Sequence, residues 1–169
     1  VQSVLDQRLS AEHFTELRAS AISDDVIETS GAYTAWERDD LPNPLRWIGD
    51  RDGALPALVF PLTEAGKGET WQAKPQPGIV TLADGRSPKY IGPSKDSGYP
   101  TPALVERRAV DDTTRRVLVV EGTKQALAVV SATDESTAVY GLSGITSWKG
   151  GDDGPSLAFQ LVGGLPVYI

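Results

Sequence analysis

The stretch RRVLVVEGTKQALAVVSA, residues 115–132, decides how the chain is read. Four apolar residues, Val117 to Val120, run directly into Glu121 and Gly122, and a string of good helix formers follows. A continuous apolar run rich in β-branched residues marks a strand covered on both faces, while TKQALAVVSA has helical composition. Downstream, TAVYGL supplies a second strand, SLAFQLV a short helix, and LPVYI a third strand ending at Ile169. Strand, helix, strand, helix, strand is the pattern of a parallel sheet with right-handed crossovers. Functional groups in such sheets collect just past the carboxyl ends of the strands. Glu121 occupies that position.

Working outward, the preceding half of the chain has a different texture. LSAEHFTELRAS predicts a helix of about three turns with Ser10 as N-cap and with Phe14, Leu17 and Ala21 on one face. The lone histidine, His13, falls on its surface side, which argues against a histidine-based triad. SDDVIETSG predicts a second helix, with Ser23 as N-cap, two aspartates in the first turn and Gly31 as its stop. ALPALVFPL and GETWQAKP, separated by TEAGKG, predict two strands joined by a glycine-containing loop. Residues 85–102, GRSPKYIGPSKDSGYPTP, carry four prolines and three glycines. They read as turn and extended chain, a poor core and a reasonable binding loop.

Composition bounds the possibilities. The chain has 169 residues, 40% hydrophobic, enough for one well-packed domain or a domain with a small appendage. No apolar run reaches membrane-spanning length and no signal peptide is visible, so a soluble, cytoplasmic protein with no membrane partner is expected. Zero cysteines exclude disulfides and thiolate metal sites. A start at Val1 with no methionine anywhere points to a segment of a longer gene product. Net charge is −7, which opposes nucleic-acid binding, but its distribution is uneven. Residues 65–125 carry a net +3, against −7 for residues 1–64 and −3 for residues 126–169. A basic middle third fits phosphate contacts; a solvated mixed surface fits it equally.

VLVVEGTKQALAVV, followed by AVYGLSGITSWKG and closed by GGLPVYI, resembles a Toprim-type domain. More narrowly it is similar to the Toprim-like domain of unknown function found in plasmid and phage replication proteins, beside primase or helicase modules. LSAEHFTELRASAISDDVI, LPALVFPL and SPKYIGPS extend the resemblance over nearly the whole chain. Its most specific element is the Glu-Gly-x-Lys-x-Ala string from Glu121 to Ala126. The resemblance implies an α/β fold: a helical and β-rich segment over residues 1–110, then a partial Toprim-like (Rossmann-like) parallel sheet with flanking helices over residues 111–169.

The implied function is Mg²⁺-dependent phosphotransfer on DNA in a plasmid or phage replication protein, of the nucleotidyl or phosphoryl transferase type in a full-length parent. Glu121 would be the general acid/base or a metal ligand, since Mg²⁺ takes hard oxygen donors and keeps several waters. Lys124, Lys89, Tyr90 and Lys74 are the candidate nucleic-acid contacts, and Gly122, Gly141 and Gly144 the tight loops around them. Partners would be single-stranded DNA, held weakly, and primase or helicase modules. The family's Asp-x-Asp pair belongs after the LPVYI strand, where this chain stops, so the remaining metal ligands are expected beyond Ile169 and the segment alone is expected to be inactive. Asp152 and Asp153 are adjacent, in the turn-like KGGDDGP, and fit a solvent-facing loop better than a metal site. Lys74 to Gln76 read Lys-Pro-Gln where the family has Arg-Pro-Asp.

Simpler roles exist for each residue. Glu121 fits a turn cap or a lysine partner, Lys124 an ordinary first-turn helix side chain, and Lys89 with Tyr90 a fastening for the proline-rich loop. Trp36, Trp47, Trp71 and Trp148 fit core or rim packing better than a stacking platform. At the level of the whole chain, the alternatives are a non-catalytic module that binds single-stranded nucleic acid or a protein, and a Toprim-type nuclease.

Overall fold

A computed structural model describes residues 8–143 and 164–169. Helix α1 spans Ala11–Ala19 and opens as the sequence requires, the Ser10 hydroxyl accepting from the His13 amide at 3.1 Å. Helix α2, Asp24–Thr29, carries Asp24 and Asp25 in its first turn, where the helix dipole favours them. Its start is tied to the far end of the chain, with the Ser23 amide donating to the Ser131 hydroxyl at 3.0 Å. Strand β1, Tyr33–Ala35, follows, and after two 3₁₀ turns over residues 38–48 the hairpin β2, Ala57–Glu64, and β3, Gly68–Lys74, forms as expected. Then come β4, Leu104–Arg108; β5, Arg116–Glu121; α3, Thr123–Ala132; β6, Thr137–Leu142; and β7, Val167–Tyr168.

These strands form one seven-stranded mixed sheet in the order β1-β2-β4-β6-β5-β7, with β3 on the other edge of β2. β5 runs parallel to both β6 and β7, and every other pairing is antiparallel. The protein is therefore α/β, with the parallel trio at the carboxyl-terminal side that residues 115–142 announce. One continuous sheet runs through the sequence on both sides of residue 110.

Side-chain alternation gives the sheet two covered faces. Leu17, Ile22, Val26 and Ile27 from α1, α2 and the turn between them pack with Leu127 of α3 on Leu58, Phe60, Leu62 and Val105. On the opposite face, Leu41, Leu45 and Ile48 of the 3₁₀ segment cover Val59 and Ala73. Further along, Leu104, Val117, Val119, Ala138, Tyr140 and Leu142 make a third cluster. Each fully buried Leu or Phe among them stabilises the fold by about 1.5–3 kcal/mol relative to exposure.

Three sequence expectations need correction. Ala21 is exposed, because α1 ends at Ala19 and Ala21 turns the chain with φ +60°, so the helical period no longer applies. His13 is buried instead, its Nδ1 2.8 Å from the Thr34 hydroxyl, and burial holds its pKa below the ordinary value. Strand β5 is fully buried only at Val117 and Val119; Leu118 and Val120, on the α3 face, are half-buried. The helix expected over SLAFQLV, the loop glycine Gly144, Trp148 and the Asp152–Asp153 pair lie outside the described residues.

Candidate functional site

Glu121 stands at the carboxyl end of β5, in register with Leu142 at the end of β6. It is exposed, and among the described residues it makes neither a hydrogen bond nor an ion pair. The chain then turns through Gly122, φ +91°, whose amide donates to the Leu142 carbonyl at 2.7 Å. Only glycine adopts that backbone without strain. Gly141 matters for proximity: a Cβ there would lie 3.2 Å from both the Ala126 Cβ and the Gly122 carbonyl oxygen. The two glycines let α3 start hard against β6.

The candidate basic contacts sit on the other face, the one covered by α1 and α3. Lys74, the last residue of β3, and Lys124, in the first turn of α3, both hold Glu16 of α1. Lys74 Nζ lies 2.5 Å from one carboxylate oxygen and Lys124 Nζ 2.8 Å from the other. The three side chains are 18%, 13% and 24% exposed. Burial raises the Glu16 pKa, but the two ammonium groups outweigh it and hold the carboxyl below its ordinary value. Tyr90 packs edge-on against Phe60 with ring centroids 6.2 Å apart, and burial, reinforced by the Glu16 charge, pushes its hydroxyl up to about 12. Lys89 is exposed, its Nζ 5.6 Å from the Tyr90 ring centroid.

Lys74 and Lys89 also line a cavity of about 290 Å³ whose other walls include Pro75, Pro77, Ser87 and Pro88. Beside the triad, Gln72 of β3 joins the turn after β5 to the end of β6. Its side chain accepts from the Thr123 hydroxyl at 2.5 Å and donates to the Ser143 hydroxyl at 3.0 Å. The structure thus brings Lys74, Lys124 and Tyr90 together around Glu16, with Lys89 on the Tyr90 ring, and leaves Glu121 outside that network. Glu16 and Gln72 escaped the sequence reading because each acts through partners more than fifty residues away.

Other basic residues of the middle third serve the fold. Arg108 closes the end of α3 and Arg116 donates to the Thr137 hydroxyl at 2.9 Å. Arg107 occupies a register shift in the β4–β6 pairing, and its guanidinium donates to the Pro61 carbonyl on the edge of β2 at 3.3 Å. Burial lowers its pKa to about 10. Arg107 also borders a second cavity of about 400 Å³, between α2, α3 and the hairpin, with Trp71 and Glu106 among its walls. Glu121 lines neither cavity.

Among the described residues no three histidine, aspartate or glutamate side chains converge. No described helix is long and apolar enough to cross a membrane.

No protein-family model matches this chain, and no curated protein does. Among solved structures it is similar to the DnaG catalytic core, with 18% sequence identity and a TM-score of 0.49. The match covers 83% of this chain and 49% of that one, so the chain spans about half its length.

Proposed function

We propose that the chain is the nucleic-acid-handling part of a plasmid or phage DNA replication protein, with Glu121 as the carboxylate of a phosphotransfer centre in the longer parent. The observation that carries this is the position of Glu121. It sits exposed at the carboxyl end of the central strand of a parallel trio, and no structural partner engages it among the described residues. An exposed carboxylate at that place is positioned to act as general acid/base or to bind a metal. Mg²⁺ enters this proposal only if further oxygen ligands come from outside the described residues. β7 pairs Tyr168 with Leu118, so a strand continuing in that register would come level with Glu121 three residues later.

The second reading is a non-catalytic module that binds single-stranded nucleic acid, favoured by exposed Lys89 beside Tyr90. A Toprim-type nuclease would need the same additional carboxylates. In the full-length parent, Glu121→Gln should abolish Mg²⁺-dependent phosphotransfer while the protein stays folded. Retained activity would remove Glu121 from the chemistry. For the present chain, affinity for single-stranded DNA should fall with salt, and a log–log slope near zero would remove phosphate contacts altogether.

A further inference from the structure

We propose that Lys74 and Lys124 form a phosphate site whose resident occupant is Glu16, so that helix α1 competes with a single-stranded nucleic acid for the two lysines. This rests on the nucleic-acid reading above and deepens it. Two ammonium groups from different elements straddle the two oxygens of one carboxylate, at 2.5 and 2.8 Å. Two ammonium groups can hold two oxygens of a phosphate in the same way, each acting as a point charge.

The charge count supports a site over a simple structural clasp. One carboxylate between two ammonium groups leaves one positive charge in excess, mostly out of water, and no other described carboxylate lies within ion-pair distance of either lysine. An uncompensated, partly buried charge is unfavourable, and a second anion relieves it. Space for that anion adjoins the triad. Lys74 belongs both to the ion triad and to the 290 Å³ cavity, across which Lys89 stands exposed. A phosphate entering beside Lys89 would meet Lys74 and draw it from Glu16. The Glu16 side chain needs only a change of rotamer to vacate the site, because the backbone of α1 is held by Leu17 in the core and by the Ser10 cap.

The test compares the native chain with Glu16→Gln, using inorganic tripolyphosphate and a single-stranded oligodeoxythymidylate as probes. Glu16→Gln should bind both about tenfold more tightly at low salt, with the log–log salt slope for the oligonucleotide steeper by roughly 1.4, the counterions of two freed lysines. Adding Lys74→Ala and Lys124→Ala to that variant should erase the gain. A gain for tripolyphosphate when neither protein binds the oligonucleotide would keep the phosphate site and defeat the nucleic-acid reading. Oligonucleotide binding by the native chain that is unchanged or weakened in Glu16→Gln would overturn the competition, as would no binding of either probe by either protein. Should Glu16→Gln fail to fold, Glu16→Asp keeps the charge but is too short to span both lysines; it should show a smaller gain, and no gain would overturn the proposal.

Discussion

Arg108 of β4 reaches across to Val130 near the end of α3, one guanidinium nitrogen donating to its carbonyl at 3.1 Å. The other donates to the Asp134 carbonyl at 2.6 Å and, more loosely, to Thr133 and Thr137. The last carbonyls of a helix have no intrahelical donors, and a cation there also complements the helix dipole. A strand residue in mid-sheet therefore adds to the cap that Thr133 makes, its amide donating to the Val130 carbonyl at 3.4 Å and its hydroxyl to the Val129 carbonyl at 2.7 Å. Its contact with Glu135, whose side chain is 89% exposed, adds little.

Arg108→Ala should consequently lower stability by roughly 2–3 kcal/mol, the range of hydrogen bonds to a charged, mostly buried group. Urea denaturation followed by circular dichroism measures it. Arg108→Lys, with no planar fork to serve several carbonyls, should recover less than half of the loss. Full stability in Arg108→Ala would mean that α3 ends without this cap.

Gly141→Ala should destabilise by roughly 1–3 kcal/mol, because a methyl group there meets Ala126 and the Gly122 carbonyl at 3.2 Å and neither can retreat easily. Ala126→Gly in the same background should restore part of the loss by removing one of the two clashes. The Gly122 carbonyl would still stand in the way. A double-mutant cycle in thermal unfolding reads the coupling.

Glu64 offers a pH test. It is buried to 1% exposure at the end of β2, and its carboxylate accepts from the Ala103 amide at 2.8 Å and the Leu104 amide at 3.1 Å. Burial raises its pKa above 4.5, only partly offset by those two amides. An acid whose folded pKa is raised is easier to bury protonated. Its contribution is thus fully present below the unfolded value and declines as pH rises through the folded one. Relative to the native chain, Glu64→Gln should therefore gain stability as pH rises above the ordinary carboxylate range and level off once pH has passed the raised folded value. A difference that stays flat or falls as pH rises from the ordinary carboxylate range would contradict the raised value.

The β5–α3–β6 unit was legible in the sequence because three local signals agree there: an unbroken β-branched run, a glycine turn and helix-forming residues. The β2–β3 hairpin was legible from two strand-like stretches joined by a glycine-containing loop. β4 was not, since LVERR carries two apolar residues and then three charged ones, and its strand character comes from pairing with β2 and β6. His13 was placed on the surface because helical periodicity says nothing of Thr34, whose hydroxyl makes burial of that ring possible. The candidate site shows the same limit. Glu121 and Gly122 are adjacent in sequence and were found together. The grouping of Lys74 with Lys124 depends on Glu16, which is separated from them by 58 and 108 residues.

Glu121 and Glu64 both end strands, yet they predict opposite outcomes on neutralisation. Glu64 satisfies two backbone amides of the next strand, whereas Glu121 is exposed and engages no described partner. Glu121→Gln removes charge without removing a contact to any described residue, so the unfolding free energy should stay within about 0.5 kcal/mol of the native value. Unchanged stability alongside lost phosphotransfer in the longer parent would separate a chemical role from a structural one. A loss of 2 kcal/mol or more, on the order expected for a buried hydrogen-bonded group, would instead make Glu121 part of the scaffold.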